Sequence, residues 1–425
     1  MINFENNHSS HSYPLSNNTF ESFWMAGYEC SDKLNAFGHR VDFLELTAHL
    51  SMIAADYHDL ASIRVKTVRE GIRWSQVEKK PYQYDWSTVE KMITAGKTAG
   101  IQQVWDICHF GFADDLTPLH PLFARRFAAL SRAFVQFYRL LSPEGELIVT
   151  PINEVSFLSW LGGDARGTSP YCVGQGWEVK YALMRAYIEG SAAMREVDPG
   201  IRFLATEPLV QMVPPFDATE EEIESAATAH LNQYQVADIL SGRMCAELGG
   251  SPEYLDILGL NFYFNNRWVN GTGHFLPWGN ENMDPRFRSF SSLMEEAYHR
   301  YKRPLVLSET SHPGSDRPAW IKYIAEESAL LIDKEIPYWG ICIYPIIDRP
   351  DWDHLQNPWH NSGLWDMELA ADGSPKRVLY QPYAEALHHA QQLISDQYNN
   401  VELRNSVNID TEIFELKENG LQQIA

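Results

Sequence analysis

The sequence predicts an α/β chain closed into a single (β/α)8 barrel with elaborated loops after its strands. Three observations lead there. Eight short runs rich in β-branched and aromatic residues recur along the chain, segments with helical apolar spacing separate them, and no convincing linker divides them. At 425 residues the length would also suit two or three ordinary domains, but an unbroken alternation favours one large barrel.

The strand-like runs are FWMAGYE (23–29), KTVREGIRW (66–74), QQVWDICHF (102–110), ELIVTPINE (146–154), IRFLATEP (201–208), LDILGLNFY (255–263), RPLVLSE (303–309) and WGICIYPII (339–347). Each gap is long enough for a helix and its loops. Amphipathic helices are expected at 55–63, 85–100, 121–141 and 178–197; in the third, Phe123, Phe127, Leu130 and Phe134 approximate one apolar face. Closing signals arrive on time, with Ala99–Gly100 after the second and Asp198–Pro199–Gly200 after the fourth. Near-continuous apolar strands alternating with helices mark a parallel sheet. No GxGxxG or GxxxxGK[ST] follows the first run, so an open nucleotide-binding sheet lacks its usual support, and eight strands favour a closed TIM barrel. The expected organisation is a flexible N-terminal arm at 1–19, the barrel at 20–395 and a polar C-terminal extension at 396–425. Proline- and glycine-rich stretches at 169–171, 271–280 and 348–361 fall in β→α connections, which form the mouth of such a barrel.

Composition excludes some partners. A formal net charge of −22 would repel nucleic acid and anionic membranes. The 12% aromatic content, including 13 tryptophans, fits a large aromatic core, with a structural role favoured for any single ring over a place in a binding cleft. Cys30, Cys108, Cys172, Cys245 and Cys342 are scattered, odd in number and without CxxC spacing, which points to reduced thiols in a cytoplasmic protein. The first twenty residues lack a basic stretch followed by an apolar one, so no signal peptide is expected, and the apolar run at 336–347 is too short to span a bilayer. His8 and His11 have metal-ligand chemistry but sit in the expected arm, where a solvated role is favoured.

With the eight runs as barrel strands, their C-terminal ends deliver Glu29, Arg69, Asp106 with His109, Asn153 with Glu154, Glu207, Asn261 with Tyr263, Glu309, and Tyr344 with Asp348. Glu154 and Glu309 end the fourth and seventh runs. Two carboxylates aimed at one point are what double-displacement glycoside chemistry requires. Glu207 is a third strand-end carboxylate, for which a structural or binding contact is favoured over catalysis.

The motifs resemble those of the retaining (β/α)8 glycoside hydrolases, nearest to the family 1 β-glycosidases. TPINE (150–154) is similar to that family's T-x-NE motif and VLSET (306–310) to its ITENG motif. VREGIRWSQV (68–77) resembles YRFSISWSR, CHFG (108–111) resembles HWD, and LGLNFYF (258–264) resembles GINYY. IYPIIDRPDW (343–352) resembles VWSLLDNFEW, and GLWD (363–366) the segment after it. The resemblance implies a β-glucosidase- or β-galactosidase-like enzyme acting on a small glycoside or oligosaccharide, without metal or organic cofactor. It implies Glu309 as nucleophile supported by Arg69 and Tyr263, Glu154 as acid/base, and Asn153 on the sugar 2-hydroxyl. Glu29, His109, Asn261, Tyr344, Asp351 and Trp352 would complete the sugar site. The chain departs from the pattern at Glu29, where the family carries glutamine, and at Tyr344, where it carries a stacking tryptophan. It also has Val155 in place of proline and Thr310–Ser311 in place of Asn-Gly. A transglycosidase using the same site and a catalytically weak carbohydrate-binding barrel are the alternatives. Basic residues of the last loop, Arg349, His354 and His360, could meet an anionic sugar, though solvated roles are commoner. Oligomeric state is not legible in the sequence.

Overall fold

The computed structural model describes residues 18–279, 284–355 and 359–422. His8, His11 and most of the expected arm lie outside the described residues, as do 423–425. Eight parallel strands close a barrel: β1 (Trp24–Gly27), β2 (Thr67–Gly71), β3 (Gln102–Cys108), β4 (Ile148–Ile152), β5 (Arg202–Pro208), β6 (Ile257–Asn261), β7 (Leu305–Thr310) and β8 (Tyr338–Ile343). Each pairs with its neighbours in chain order, and β1 pairs with both β2 and β8. All eight predicted runs overlap one of these strands, with β7 running one residue past its run and β8 starting one residue before it. The chain therefore has the (β/α)8 TIM-barrel fold expected from the alternation.

Around the barrel run α1 (His49–Leu60), α2 (Ser87–Ala99), α3 (Phe123–Leu141), α4 (Val155–Gly163), α5 (Gly176–Val197), α6 (Glu220–Leu231), α7 (Phe290–Tyr301), α8 (Arg317–Asp333) and α9 (Gln381–Gln422). The predicted face of α3 is real: Phe123, Phe127, Leu130 and Phe134 are all buried. Gly100 ends α2 with φ +65°, a left-handed turn that glycine adopts without steric cost. The short α4 is an addition at the mouth, ahead of the longer α5. From residue 396 the polar segment continues α9 as helix. No helix among the described residues is long and apolar enough to cross a membrane, and the five cysteines are free.

Strand alternation divides the core in two. Met25, Val104, Ile148, Leu204, Ile257, Val306 and Cys342 fill the barrel interior, while Val68, Trp105, Val149, Phe203, Leu258, Leu307 and Ile341 pack outward under the helices. In β2 the same alternation separates two charges. Arg69 enters the barrel, and Glu70 points outward to α1. There His49 Nε2 meets Glu70 at 2.9 Å and His49 Nδ1 meets Asp56 at 2.7 Å, with Tyr28 stacked on the imidazole at 3.8 Å. Tyr57 donates to Glu70 at 2.6 Å, and Arg377, in the Pro375–Leu379 strand of a two-stranded ribbon, grips Asp56 at 2.7 and 2.8 Å.

Burial alone would lower the His49 pKa, but Glu70 and Asp56 overcome it and push it up to about 9. A folded-state pKa above the unfolded value near 6.5 gives stability that is complete below about pH 6.5 and lost as pH rises toward about 9. We expect thermal unfolding from about pH 6 to pH 9.5 to show a fall worth roughly 3 kcal/mol in wild type and a flatter profile in His49→Gln. Parallel profiles would remove the charge from this account.

Candidate active site

The site is built outward from Arg69. Its guanidinium is buried at the end of β2, where Nε and one terminal nitrogen donate to Asp106 at 3.0 and 2.8 Å. The other terminal nitrogen donates to Glu309 Oε1 at 2.7 Å and to the Ser308 carbonyl at 3.2 Å. Asn153 Oδ1 accepts a further bond at 2.6 Å. One side chain thus joins β3, the turn after β4, and β7. Asp106 and Glu309 reinforce the cation against burial and raise the Arg69 pKa well above its ordinary value.

Glu309 reaches this point through an irregularity. Leu260 faces Leu307 and Asn261 faces Glu309 across β6, so β7 contains an extra residue, and a shift also appears against β8. Simple alternation from the interior Val306 would aim Ser308 inward and Glu309 outward. The bulge brings both inside, a common use of bulges near active sites. Ser308 donates to Asn261 Oδ1 at 2.6 Å, and the second oxygen of Glu309 accepts from the Tyr263 hydroxyl at 2.8 Å. Burial, followed by the Glu309 and Glu154 charges, pushes the Tyr263 phenol pKa well up. The phenol therefore remains a proton donor at neutral pH.

Glu154 occupies the turn between β4 and α4 with φ 46° and ψ 59°, in the left-handed region that non-glycine residues seldom occupy. Its side chain points across the barrel, where Oε1 accepts from Asn261 Nδ2 at 2.8 Å. Burial first, then the Glu309 charge, raises its pKa well above the ordinary carboxylate value; Glu207 adds to this, while Asn261 and Arg69 oppose it. Asn261, expected on the sugar, instead has its amide nitrogen on Glu154 and its oxygen on Ser308.

The altered positions form a second cluster. His109 Nδ1 bonds Asp106 at 2.7 Å, and its Nε2 lies 3.2 Å from the Tyr344 hydroxyl and 3.3 Å from Asn153 Nδ2. Both ring nitrogens are thus engaged, Nδ1 by Asp106 and Nε2 by Tyr344 and Asn153. The Tyr344 ring lies parallel to the imidazole with centroids 5.6 Å apart, against β1 where Gly27 leaves room; a Cβ there would lie 2.0 Å from the ring. Glu29 Oε2 pairs with Arg349 at 3.1 Å, and its other oxygen lies 3.8 Å from His109 Nε2. Burial would raise the Glu29 pKa, but Arg349, His109 and Ser31 bring it below the usual carboxylate range.

Trp352 packs against Phe110 and Phe157 with Lys33 and Arg349 over its ring, and its buried indole N–H has no acceptor among the described residues. Asp351 accepts from the amides of Asp353 and His354 at 2.8 Å each, so one of its oxygens serves its own loop. His360 lies 3.6 Å from the other. Glu207 accepts from the Ser156 amide at the start of α4, a capping contact. In the sequence Asp106 is only a strand-end carboxylate and Arg349 only a loop cation; in the structure Asp106 bonds both Arg69 and His109, and Arg349 pairs with Glu29. The signal for Asp106 was present, since a carboxylate at the end of β3 lies beside the inward arginine of β2.

Among the described residues, Cys30, Asp106 and His109 are the group whose ligand atoms come within 4.8 Å of one another. Asp106 is already committed to the Arg69 cation and to His109, so this trio is poorly suited to a second cation.

No family model matches the sequence, and no curated protein matches it. Solved structures do match by fold. A family 1 β-glucosidase from Thermotoga maritima superposes with a TM-score of 0.69 at 14% identity, covering 89% of this chain and 99% of that one. The β-glucosidase from the same organism in complex with glucoimidazole gives 0.69 at 13%, covering 90% and 100%. The AHE enzyme from Alicyclobacillus herbarius gives 0.67 at 13%, covering 86% and 98%. The chain has the barrel fold of the family 1 β-glucosidases over nearly their whole length.

Proposed function

We propose that the protein is a retaining glycosidase that cleaves a β-linked glycoside by double displacement. The observation that carries this is the pairing of Glu309, bonded by Arg69 and Tyr263, with a neighbouring Glu154 whose pKa is raised by burial and by the Glu309 charge. Two carboxyl groups with different environments support separate roles. Glu309 attacks the anomeric carbon while Glu154 protonates the departing glycosidic oxygen, leaving a glycosyl ester on Glu309. Esterification removes the Glu309 charge, so the pKa of Glu154 drops and its carboxylate can take a proton from water. That water attacks the same carbon, releases the sugar with its configuration retained, and restores both carboxyl groups.

Tyr263 and Arg69 serve as supports for the nucleophile, and Asn153 offers Nδ2 toward the sugar. Glu29, His109, Tyr344, Asp351 and Trp352 are the sugar-site candidates, with the free indole N–H of Trp352 a donor for a hydroxyl. The glucoimidazole complex of the Thermotoga maritima enzyme supports a small sugar-like ligand for this fold. The free cysteines support a reducing, cytoplasmic setting.

The direct test is trapping. A 2-fluoro β-glycoside turned over slowly by the protein should leave a covalent adduct on Glu309, seen by peptide mass spectrometry and absent in Glu309→Ala; an adduct elsewhere would overturn the assignment. Because Glu154 must carry a proton to act as acid, kcat/KM should fall as pH rises through its raised pKa. Glu154→Gln should abolish that basic limb and slow substrates with poor leaving groups by roughly 10²- to 10⁴-fold. An unchanged limb in the variant would assign it to another group.

A further inference from the structure

Glu207 is a further buried carboxyl group beside the site, and the double displacement leaves it unused. It follows Thr206 in β5, and this dipeptide meets the turn that carries Glu154 at three successive points. The Thr206 hydroxyl donates to Asn153 Oδ1 at 2.7 Å. The Thr206 carbonyl accepts from the Glu154 amide at 3.0 Å. Both Glu207 oxygens accept from the Ser156 amide, at 3.3 and 3.1 Å.

Glu154 stands at the position just before α4, where a side chain ordinarily caps the first free amides of a helix. It makes no such bond, because its carboxyl group is turned into the barrel toward Asn261. The helix start therefore lacks an acceptor of its own. Val155 adds an amide that a proline there would not have. Glu207 supplies a carboxylate from the neighbouring strand, at the end of the helix that favours negative charge.

We infer that Glu207 is a positioning residue for Glu154: it caps α4 from β5, fixes the left-handed turn, and places a negative charge behind the acid. The inference rests on the reading of Glu154 as the acid. Glu207 never touches the glycosidic oxygen; it acts through the turn and through its field. Glu154 is faced by Glu309 of β7, Asn261 and Tyr263 at the end of β6, Arg69 of β2, and Glu207 of β5. Glu207 is faced by Ser156 and Val155 of α4 and by Lys180 and Tyr187 of α5. Lys180 also donates to Gln235 at 2.7 Å. Burial pushes the Glu207 pKa up to about 7, against the opposing Ser156 side chain, Lys180, and the amides of Ser156 and Val155. The cap and its charge therefore strengthen as pH rises through about 7.

Two substitutions separate the cap from the charge. Glu207→Gln keeps an acceptor oxygen without charge, and Glu207→Ala removes both. In Glu207→Gln the basic limb of kcat/KM should move down by roughly one pH unit, because the field that raises the Glu154 pKa has weakened. In Glu207→Ala, kcat on phenyl β-glucoside should fall roughly 10- to 100-fold. Turnover of 2,4-dinitrophenyl β-glucoside, whose leaving group needs little protonation, should change by less than about threefold. Hydrogen exchange over residues 153–161 should speed up in Glu207→Ala, with Glu207→Gln near wild type and the rest of the barrel unchanged. Equal losses on both glucosides, an unmoved limb in Glu207→Gln, or unchanged exchange in Glu207→Ala would each overturn the inference. A wild type that cleaves neither glucoside would instead strike at the glycosidase reading, and the exchange data would still decide whether Glu207 holds the turn.

Discussion

The Arg69 guanidinium, shared by Asp106, Glu309 and Asn153, is the interaction on which the centre of the barrel depends. Arginine suits it because its planar fork stays charged and can serve several acceptors in fixed directions. Its partners come from different strands, so a movement of any one strand end would misplace the others. Buried ion pairs commonly add little net stability, since desolvation offsets their attraction, but loss of one partner leaves a charge stranded at a cost of about 3–5 kcal/mol. The cluster therefore acts more as a geometric lock than as a source of stability. Asp106 takes two of the guanidinium bonds and also orients His109, which ties the Arg69–Glu309 pair to the His109–Tyr344 cluster.

Around this lock the electrostatics are uneven. Glu29 is drawn below the ordinary carboxylate range by Arg349, while Glu154 and Glu207 are driven up by burial. Glu29 and Tyr344 each have a partner in place. A carboxylate at Glu29 has acquired a guanidinium partner, and Tyr344 has a hydroxyl contact to His109 and a glycine-lined space beside β1. Glu29 and Tyr344 thereby engage Arg349 and His109 at the mouth of the barrel. They alter the floor of the site and leave the Glu154–Glu309 arrangement intact.

Much of this was legible along the chain. Apolar runs mark strands because strands buried on both faces must be apolar throughout, and the spacing in α3 marks its buried face for the same reason. The identities at strand ends named the polar groups that come together, since a closed parallel barrel gathers those ends at one mouth. What escaped was the wiring. Asn261 reads as a sugar contact and also bonds Glu154 and Ser308, and Arg349 reads as a solvated loop cation but reaches Glu29. Partner choice between groups distant in sequence leaves no periodic trace.

By itself the sequence determined the eight-fold alternation, the closed barrel, and the presence of two glutamates with an arginine and a tyrosine at strand ends. Only the tertiary structure decided which way those groups face. The extra residue in β7 turns Glu309 inward against simple alternation, and the left-handed turn before α4 aims Glu154 across the barrel. Both depend on register and dihedral angles set by neighbouring strands. Local composition specifies that a strand exists and which residues it carries; contacts across the barrel specify the small displacements that turn both carboxyl groups into the barrel.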